Sequence, residues 1–381
     1  MKATMRHRIG KAVYVNAVLL VLFSWTARAA VPSEPAPIDP LITRQLETGI
    51  SEFEAGRYPQ AEEIFRGVIA TLEMRGNPGV QLVQAIGNLG SVLIDAGRYD
   101  EAELSLTRAV ALLQGNRKID QRQFPVVLGN LGRLFQVTKR SKLAESTLRD
   151  ALNLGKKLLA DRPEYIADIH NNLGMVHLNT GNHKQAEIEF QRALSLIVKD
   201  SPENAVRSAG IIANLASVYF AEMRWDLAEK YFLQGLHDVE LVRGKEHPDL
   251  CVYLSNLAYV SFKMNNLDSA ESYLRRNLEI GRAVFGNESV TTAAAATRLA
   301  DVLSKREKYD EAVSLYAEAL RIQEKKFGLR NPELATTLEQ FASLLRKTNE
   351  NARSMEMEAR AASIRLEAEY TVSISDLPGH H

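Results

Sequence analysis

Apolar side chains recur every three or four residues through most of the chain, and clusters of Gly, Asn and Pro separate these stretches. Leu250, Leu254 and Leu257 show the spacing, which places all three on one face of a helix. Ser201 and Asn331 each precede a Pro and a Glu, the order that caps a helix N-terminus and complements its dipole. The pattern predicts an all-α protein built from many helices of moderate length.

The same helical pattern returns at a fixed period. A small residue marks one place in each period, with a turn residue seven positions later and, in most copies, an Ala twelve positions later. These small residues, called anchors below, are Gly49, Gly90, Gly132, Gly174, Ala216, Ala258, Ala300 and Ala342. Consecutive anchors are 41 residues apart once and 42 residues apart six times. Such a period predicts repeated helical hairpins that bury their apolar faces by stacking on one another.

Each position of the repeat has a packing role. We expect an anchor and the Ala twelve residues later, such as Gly90 and Ala102, to face each other where the two helices of a hairpin approach closely. A large residue sixteen positions after the anchor, Leu106 in this copy, fills the space beside them. The turn requires a positive φ, which is easiest for Gly and tolerated by Asn. Residues of these two types stand there at Gly56, Gly97, Gly181, Asn265 and Asn349.

This pattern resembles the tetratricopeptide repeat family, and the 42-residue spacing is similar to its kinesin light chain subtype. The ranges His247–Ala258 and Gly97–Glu103 carry the likeness most clearly, and it extends over residues 42–370. The resemblance implies a right-handed α-solenoid of about eight antiparallel helical hairpins. It also implies a scaffold that binds a protein or peptide in a concave groove, with no catalytic residues and no cofactor.

The N-terminal segment has the features of a secretory signal. Basic residues precede the apolar stretch Ala12–Trp25, and Ala27-Arg28-Ala29 fits a cleavage site. We therefore predict a signal peptide at 1–29, a Pro-rich linker at 30–41 and a flexible tail at 371–381. The chain is then exported, and periplasmic or secreted if it is bacterial. Retention of the apolar stretch as an anchor is the alternative, which makes the protein a membrane-tethered adaptor.

The net charge of the chain bears on whether its partner is a nucleic acid. The full chain has 47 basic and 47 acidic residues, and removal of 1–29, with five basic residues and no acid, leaves 42 against 47, a net charge of −5. A mildly acidic chain argues against nucleic acid, which favours basic surfaces. The single cysteine, Cys251, rules out an intramolecular disulfide and is expected to be a buried thiol.

The resemblance implies that the first helix of each hairpin lines the groove. The position two residues before the anchor then faces inward, and it holds Asn88, Asn130, Asn172, Asn214, Asn256 and Arg298. A row of amides at repeat spacing can hydrogen-bond the backbone of an extended peptide. The alternative is that these amides bond neighbouring helices and keep the repeats in register.

Four further residues complete the predicted peptide-binding set: Arg133, Tyr259, Lys263 and Lys305. The C-terminal half of the predicted groove is basic, because Lys263, Arg298, Lys305 and Lys347 outnumber Asp301 and Glu339. An acidic segment or a C-terminal carboxylate suits this lining, since Arg and Lys bind carboxylates. A solvated charged face is the alternative explanation.

Motifs of enzymes are absent from the sequence. It contains no phosphate-binding loop, no H-E-x-x-H, no G-x-S-x-G and no G-x-G-x-x-G. His170, His177 and His183 fall in one repeat, but His177 and His183 occupy positions that are aromatic in other copies. We interpret them as packing residues and predict no metal. Self-association through the concave face, which would make this a structural protein, also remains open, as does the oligomeric state.

Overall fold

A computed structural model describes residues 38–76, 79–198 and 200–375, with side chains described as far as residue 367. This part of the chain contains sixteen α-helices and no strand. They are α1 (Pro40–Glu54), α2 (Tyr58–Met74), α3 (Val80–Asp95), α4 (Tyr99–Gly115), α5 (Gln123–Val137), α6 (Ser141–Leu158), α7 (Pro163–Asn179), α8 (His183–Leu196), α9 (Pro202–Ala221), α10 (Trp225–Arg243), α11 (Leu250–Lys263), α12 (Leu267–Phe285), α13 (Val290–Lys305), α14 (Tyr309–Phe327), α15 (Glu333–Lys347) and α16 (Asn351–Ser375). The predicted all-α solenoid fold is confirmed.

The helices fall into two compact units, which meet in sequence between Met223 and Arg224. The first unit contains α1–α9 and the second contains α10–α16. Within each unit, consecutive helices pack as hairpins, and each hairpin packs on the next. The closest additional contacts are between first helices of successive hairpins, as in the pairs α3–α5 and α5–α7. The first helices therefore share one face, as the repeat predicts.

The anchors lie where the helices of a hairpin approach most closely. A Cβ placed on Gly90 would lie 2.7 Å from the Leu106 side chain, and one on Gly174 would lie 2.5 Å from the Phe190 ring. Both large side chains are fully buried, so they have little room to move. The predicted pairing of a small anchor with a large residue sixteen positions later is confirmed at these sites.

The turns inside the hairpins use the left-handed backbone region. Gly97 has a φ of 74° and Asn265 a φ of 61°, as the sequence predicts. The same turn also holds residues that are unfavourable there, since Lys139 has a φ of 60° and Glu307 a φ of 62°. The period of the repeat therefore fixes the backbone conformation even where the side chain does not favour it.

Both ends of the repeat region extend beyond their predicted bounds. Helix α1 begins at Pro40 rather than after residue 41, because the Asp39 carboxylate accepts hydrogen bonds from Leu41 N and Ile42 N and Pro suits the first helical position. Helix α16 continues to Ser375, inside the predicted tail. The predicted signal at 1–29 and most of the linker lie outside the described residues.

Ion pairs connect neighbouring hairpins on the face made by the second helices. Arg98 binds Glu62 at 2.6 Å, and Arg282 on α12 binds Glu318 on α14 at 2.8 Å. These partners are 36 residues apart in sequence, so each pair joins one repeat to the next. Among the described helices, none is both long and apolar enough to cross a bilayer.

Candidate functional site

The face of the first helices in the first unit contains a pocket between α5 and α7. It is small and open to solvent, with room for about one water molecule. Its lining consists of Pro125, Val126, Gly129, Asn130, Tyr165, Asp168, Ile169 and Asn172. The site therefore brings together two of the Asn residues predicted from the repeat.

The side-chain amides of Asn130 and Asn172 have no hydrogen-bond partner within the described residues. Asn130 is 6% exposed, and Asn172 is partly exposed. A ligand that hydrogen-bonds these two amides breaks no internal hydrogen bond, which favours such a ligand at this pocket. Each amide offers one acceptor and two donors.

The other members of the Asn row differ from these two. The Nδ2 atoms of Asn88 and Asn256 are buried and have no partner within the described part of the chain. Asn214 Nδ2 instead donates to Asn171 Oδ1 at 2.9 Å, across two successive first helices. The register role, which the sequence left as an alternative, therefore describes Asn214, and of the other four amides those of Asn130 and Asn172 border an open pocket.

Arg133 was predicted to line the groove, but it does not present its charge there. It is 5% exposed and forms an ion pair with Asp95 of the preceding repeat, which is equally buried. Their positions, one residue and five residues after their respective anchors, become neighbours only when two repeats stack. The pair spans two successive repeats, and its burial leaves no exposed cation at this position for a ligand.

A second acid–base pair, which the sequence did not reveal, borders the pocket. Arg207 Nε on α9 lies 3.2 Å from Asp168 Oδ1 on α7, and both side chains are largely buried. Burial raises the pKa of the Asp168 carboxyl to about 6, and the charge of Arg207 opposes this shift. The two residues occupy different positions in their repeats, so only a search for charge pairs between successive copies would have found them.

The second unit presents cations on its first helices. Lys263 Nζ lies 5.0 Å from the centre of the Tyr259 ring, and Lys305 Nζ lies 4.3 Å from that of Phe262. Arg298 Nη1 donates to Ser255 Oγ at 3.0 Å, and its side chain is exposed. The predicted site residues Tyr259, Lys263, Lys305 and Arg298 therefore lie on one set of helices in this unit.

Asp301 is an acid on the same helix as Arg298 and Lys305. Its carboxylate accepts a hydrogen bond from the Tyr316 hydroxyl, and Gln340 Nε2 donates to Oδ2 at 2.9 Å. Burial raises the pKa of Asp301 to about 6, and the hydrogen bond from Tyr316 and the charges of Arg298 and Lys347 oppose this shift. Asp301 is thus engaged within the protein.

His170, in the fourth repeat, is buried against another helix. His170 Nδ1 lies 2.6 Å from Glu189 Oε2, and both side chains are 7% exposed. Burial acts to raise the pKa of Glu189, but hydrogen bonds from His170 and Gln185 and the nearby charges hold it below its usual value. Within the described ranges, no group of three His, Cys, Asp or Glu residues could hold a metal ion. Cys251 is a buried thiol, as predicted, and burial raises its pKa to about 11.

Several solved structures share this fold. The apo form of the quorum sensor NprR from B. thuringiensis has a TM-score of 0.60 at 12% identity, with 86% of this chain and 89% of that chain covered. The Rap conjugation gene regulator of the plasmid pLS20, solved in complex with the Phr* peptide, has a TM-score of 0.52 at 16% identity, with 79% and 78% covered. BtubC (BKLC) from P. vanneervenii has a TM-score of 0.53 at 17% identity, with 62% and 93% covered.

Sequence comparisons identify the family. No curated protein matches the chain. One tetratricopeptide repeat model matches residues 124–199, 208–283, 249–325 and 291–367, and a second matches residues 85–118. These matches cover more than half of the 381 residues. The chain therefore belongs to the tetratricopeptide repeat family.

Proposed function

We propose that this protein is an exported scaffold that holds an extended peptide segment against the first helices of its repeats. The observation that carries the proposal is the pocket between α5 and α7, where Asn130 and Asn172 present amides without internal partners. The two residues are 42 positions apart, so they contribute the same group from successive repeats. An extended backbone offers its N–H and C=O groups to such amides at regular intervals.

The fold of the neighbours supports a peptide as the ligand. The Rap regulator of pLS20 was solved with the Phr* peptide, and it shares the helical arrangement of this chain. At such low identity the likeness concerns the fold, so it adds only that this architecture accommodates a peptide. We assign no catalytic step to the chain, and partners of the repeats are expected to be polypeptides.

Export is the part of the proposal that rests on the sequence of residues 1–29. The basic start, the apolar stretch and the small residues at 27 and 29 together favour cleavage before Ala30. N-terminal sequencing of protein isolated from its native host tests this directly. A first residue at Ala30 supports export with cleavage, whereas a retained Met1 in the membrane fraction supports the tethered adaptor.

The peptide-binding role is tested with matched Asn variants. Residues 30–381 are used to capture partners from an envelope extract of the host. Synthetic peptides that together cover the sequence of a captured partner are then used for affinity measurements. We expect N130A/N172A to lose about fivefold to 140-fold in affinity, since two hydrogen bonds contribute about 0.5–1.5 kcal/mol each.

Asn214→Ala is the control, because its amide already bonds Asn171 inside the protein. It should lower stability more than affinity. Circular dichroism checks that both variants keep their helices. Equal affinities of wild type and N130A/N172A for the captured segment would refute the proposed site.

A further inference from the structure

The second unit carries three lysines at equivalent positions of successive repeats. Lys263, Lys305 and Lys347, called the lysine row below, each follow their anchors by five residues and end the first helices α11, α13 and α15. All three side chains are exposed. The row thus repeats one cation with the period of the fold.

Each lysine is positioned by contacts with its own repeat or the preceding one. The ammonium of Lys305 lies over the Phe262 ring, and Lys347 Nζ lies 3.4 Å from Ser304 Oγ. Lys263 lies over Tyr259 of its own helix. Contacts of this kind restrict the long side chains before a ligand arrives, which lowers the entropy lost on binding.

The lysine row lacks the acidic partners found elsewhere on this unit. Arg275 binds Glu311 at 2.7 Å, and Arg282 binds Glu318 at 2.8 Å. Within the part of the chain that the structure describes, none of the three row lysines forms an ion pair with a carboxylate. Three exposed cations at the same position of successive first helices form a repeated positive surface, which favours an anionic ligand.

Asp301 on α13 and Glu339 on α15 already have hydrogen-bond partners, and the charge of Lys347 also acts on Asp301. Tyr316 and Gln340 hydrogen-bond the Asp301 carboxylate, and Arg365 binds both oxygens of Glu339 at 2.6 and 2.8 Å. These carboxylates already have partners, so a ligand carboxylate does not need to displace a strong internal pair to reach the lysines.

We infer that the lysine row binds an acidic polypeptide segment, which lies along α11, α13 and α15. The inference rests on the proposed function, because it names the ligand class for the first helices of the second unit. A polypeptide is favoured over nucleic acid because the chain without residues 1–29 carries a net charge of −5, and three lysines offer few phosphate contacts.

Fluorescence anisotropy with two labelled peptides tests the inference. One alternates Glu and Ser over about twelve residues, which extends to about 40 Å, and the other replaces each Glu by Gln. We expect residues 30–381 to bind the Glu peptide at least about tenfold more tightly than the Gln peptide at low salt, with the difference shrinking as salt screens it.

Two triple variants with the same charge change separate the row from overall charge. K263Q/K305Q/K347Q should bind the Glu peptide only as weakly as the Gln peptide. K230Q/K245Q/K326Q, which changes exposed lysines outside the first helices, should retain the preference. Circular dichroism confirms that both variants are folded.

The outcomes that overturn the inference are distinct from failure of the proposed function. Equal binding of the Glu and Gln peptides, no saturable binding of either, or equal losses in both triple variants would each overturn it. Tighter binding of an oligonucleotide of similar length would replace the polypeptide by a nucleic acid. The N130A/N172A measurement tests the proposed function separately, because those residues lie in the first unit and use uncharged amides.

Discussion

The contact between Gly174 and Phe190 gives the sharpest test of how the repeat holds its helices together. A Cβ on Gly174 would lie 2.5 Å from Phe190 Cε1 and 2.7 Å from Cδ1, closer than non-bonded carbons normally come. The ring is fully buried, so it has no free space to turn into. Gly174→Ala therefore forces α7 and α8 apart or strains the ring, at a cost of about 1–3 kcal/mol.

The same substitution also has a favourable effect, because Ala stabilises a helix interior by about 1 kcal/mol relative to Gly. Gly67 isolates that effect, since it lies within α2 and a Cβ there meets no atom within 4 Å. We expect Gly67→Ala to stabilise the protein by about 1 kcal/mol and Gly174→Ala to destabilise it by about 1 kcal/mol net. The difference of about 2 kcal/mol measures the packing conflict without the helix-propensity contribution.

Urea unfolding followed by circular dichroism reports the overall change for each variant. Solenoids need not unfold in a single step, so hydrogen exchange of the α7 and α8 amides supplies the local value. The expected result is faster exchange in those two helices for Gly174→Ala and no such change for Gly67→Ala. A Gly174→Ala protein as stable as Gly67→Ala would refute the account of the anchor as a site of close helix approach.

Substitutions at other positions test three separate features. Glu307→Gly should raise the unfolding free energy by about 1 kcal/mol because its φ is 62°, whereas Asn265→Gly should change it less; a loss of stability in Glu307→Gly contradicts this reasoning. The pKa of Asp301 is raised to about 6, so affinity for the Glu peptide should increase as pH falls from 7.5 towards about 5.5, and anisotropy should show no such increase for Asp301→Asn. Asp95→Ala leaves Arg133 charged and buried, and should lower the free energy of unfolding measured in urea by about 3–5 kcal/mol. An unchanged free energy of unfolding would show that the pair is solvated.

The sequence predicts what depends on one repeat at a time. The anchors, the large residues sixteen positions later and the turn positions follow from steric requirements within a hairpin, and the structure confirms them at Gly90, Leu106 and Gly97. The helix face that carries the Asn row also follows from the period. These features are predictable because the same local geometry imposes the same residue types in every copy.

Features that depend on contact between two repeats are harder to predict from the sequence. Arg133 was expected in the groove, yet its charge is taken up by Asp95 of the neighbouring copy. Asn130, Asn172 and Asn214 occupy the same position of their repeats. Asn214 hydrogen-bonds Asn171, whereas Asn130 and Asn172 find no partner within the described residues. Side-chain reach across the hairpin interface decides these cases, and it varies with residues that the period does not constrain.

The contacts of each hairpin are made mainly with the hairpins on either side, through helix packing and ion pairs such as Arg282–Glu318. The length of such a protein is consequently an adjustable property. Duplication or loss of one 42-residue unit inside a run would add or remove one pair of helices and leave the remaining interfaces as they were. Evolution can therefore change the length of this solenoid without redesigning a core.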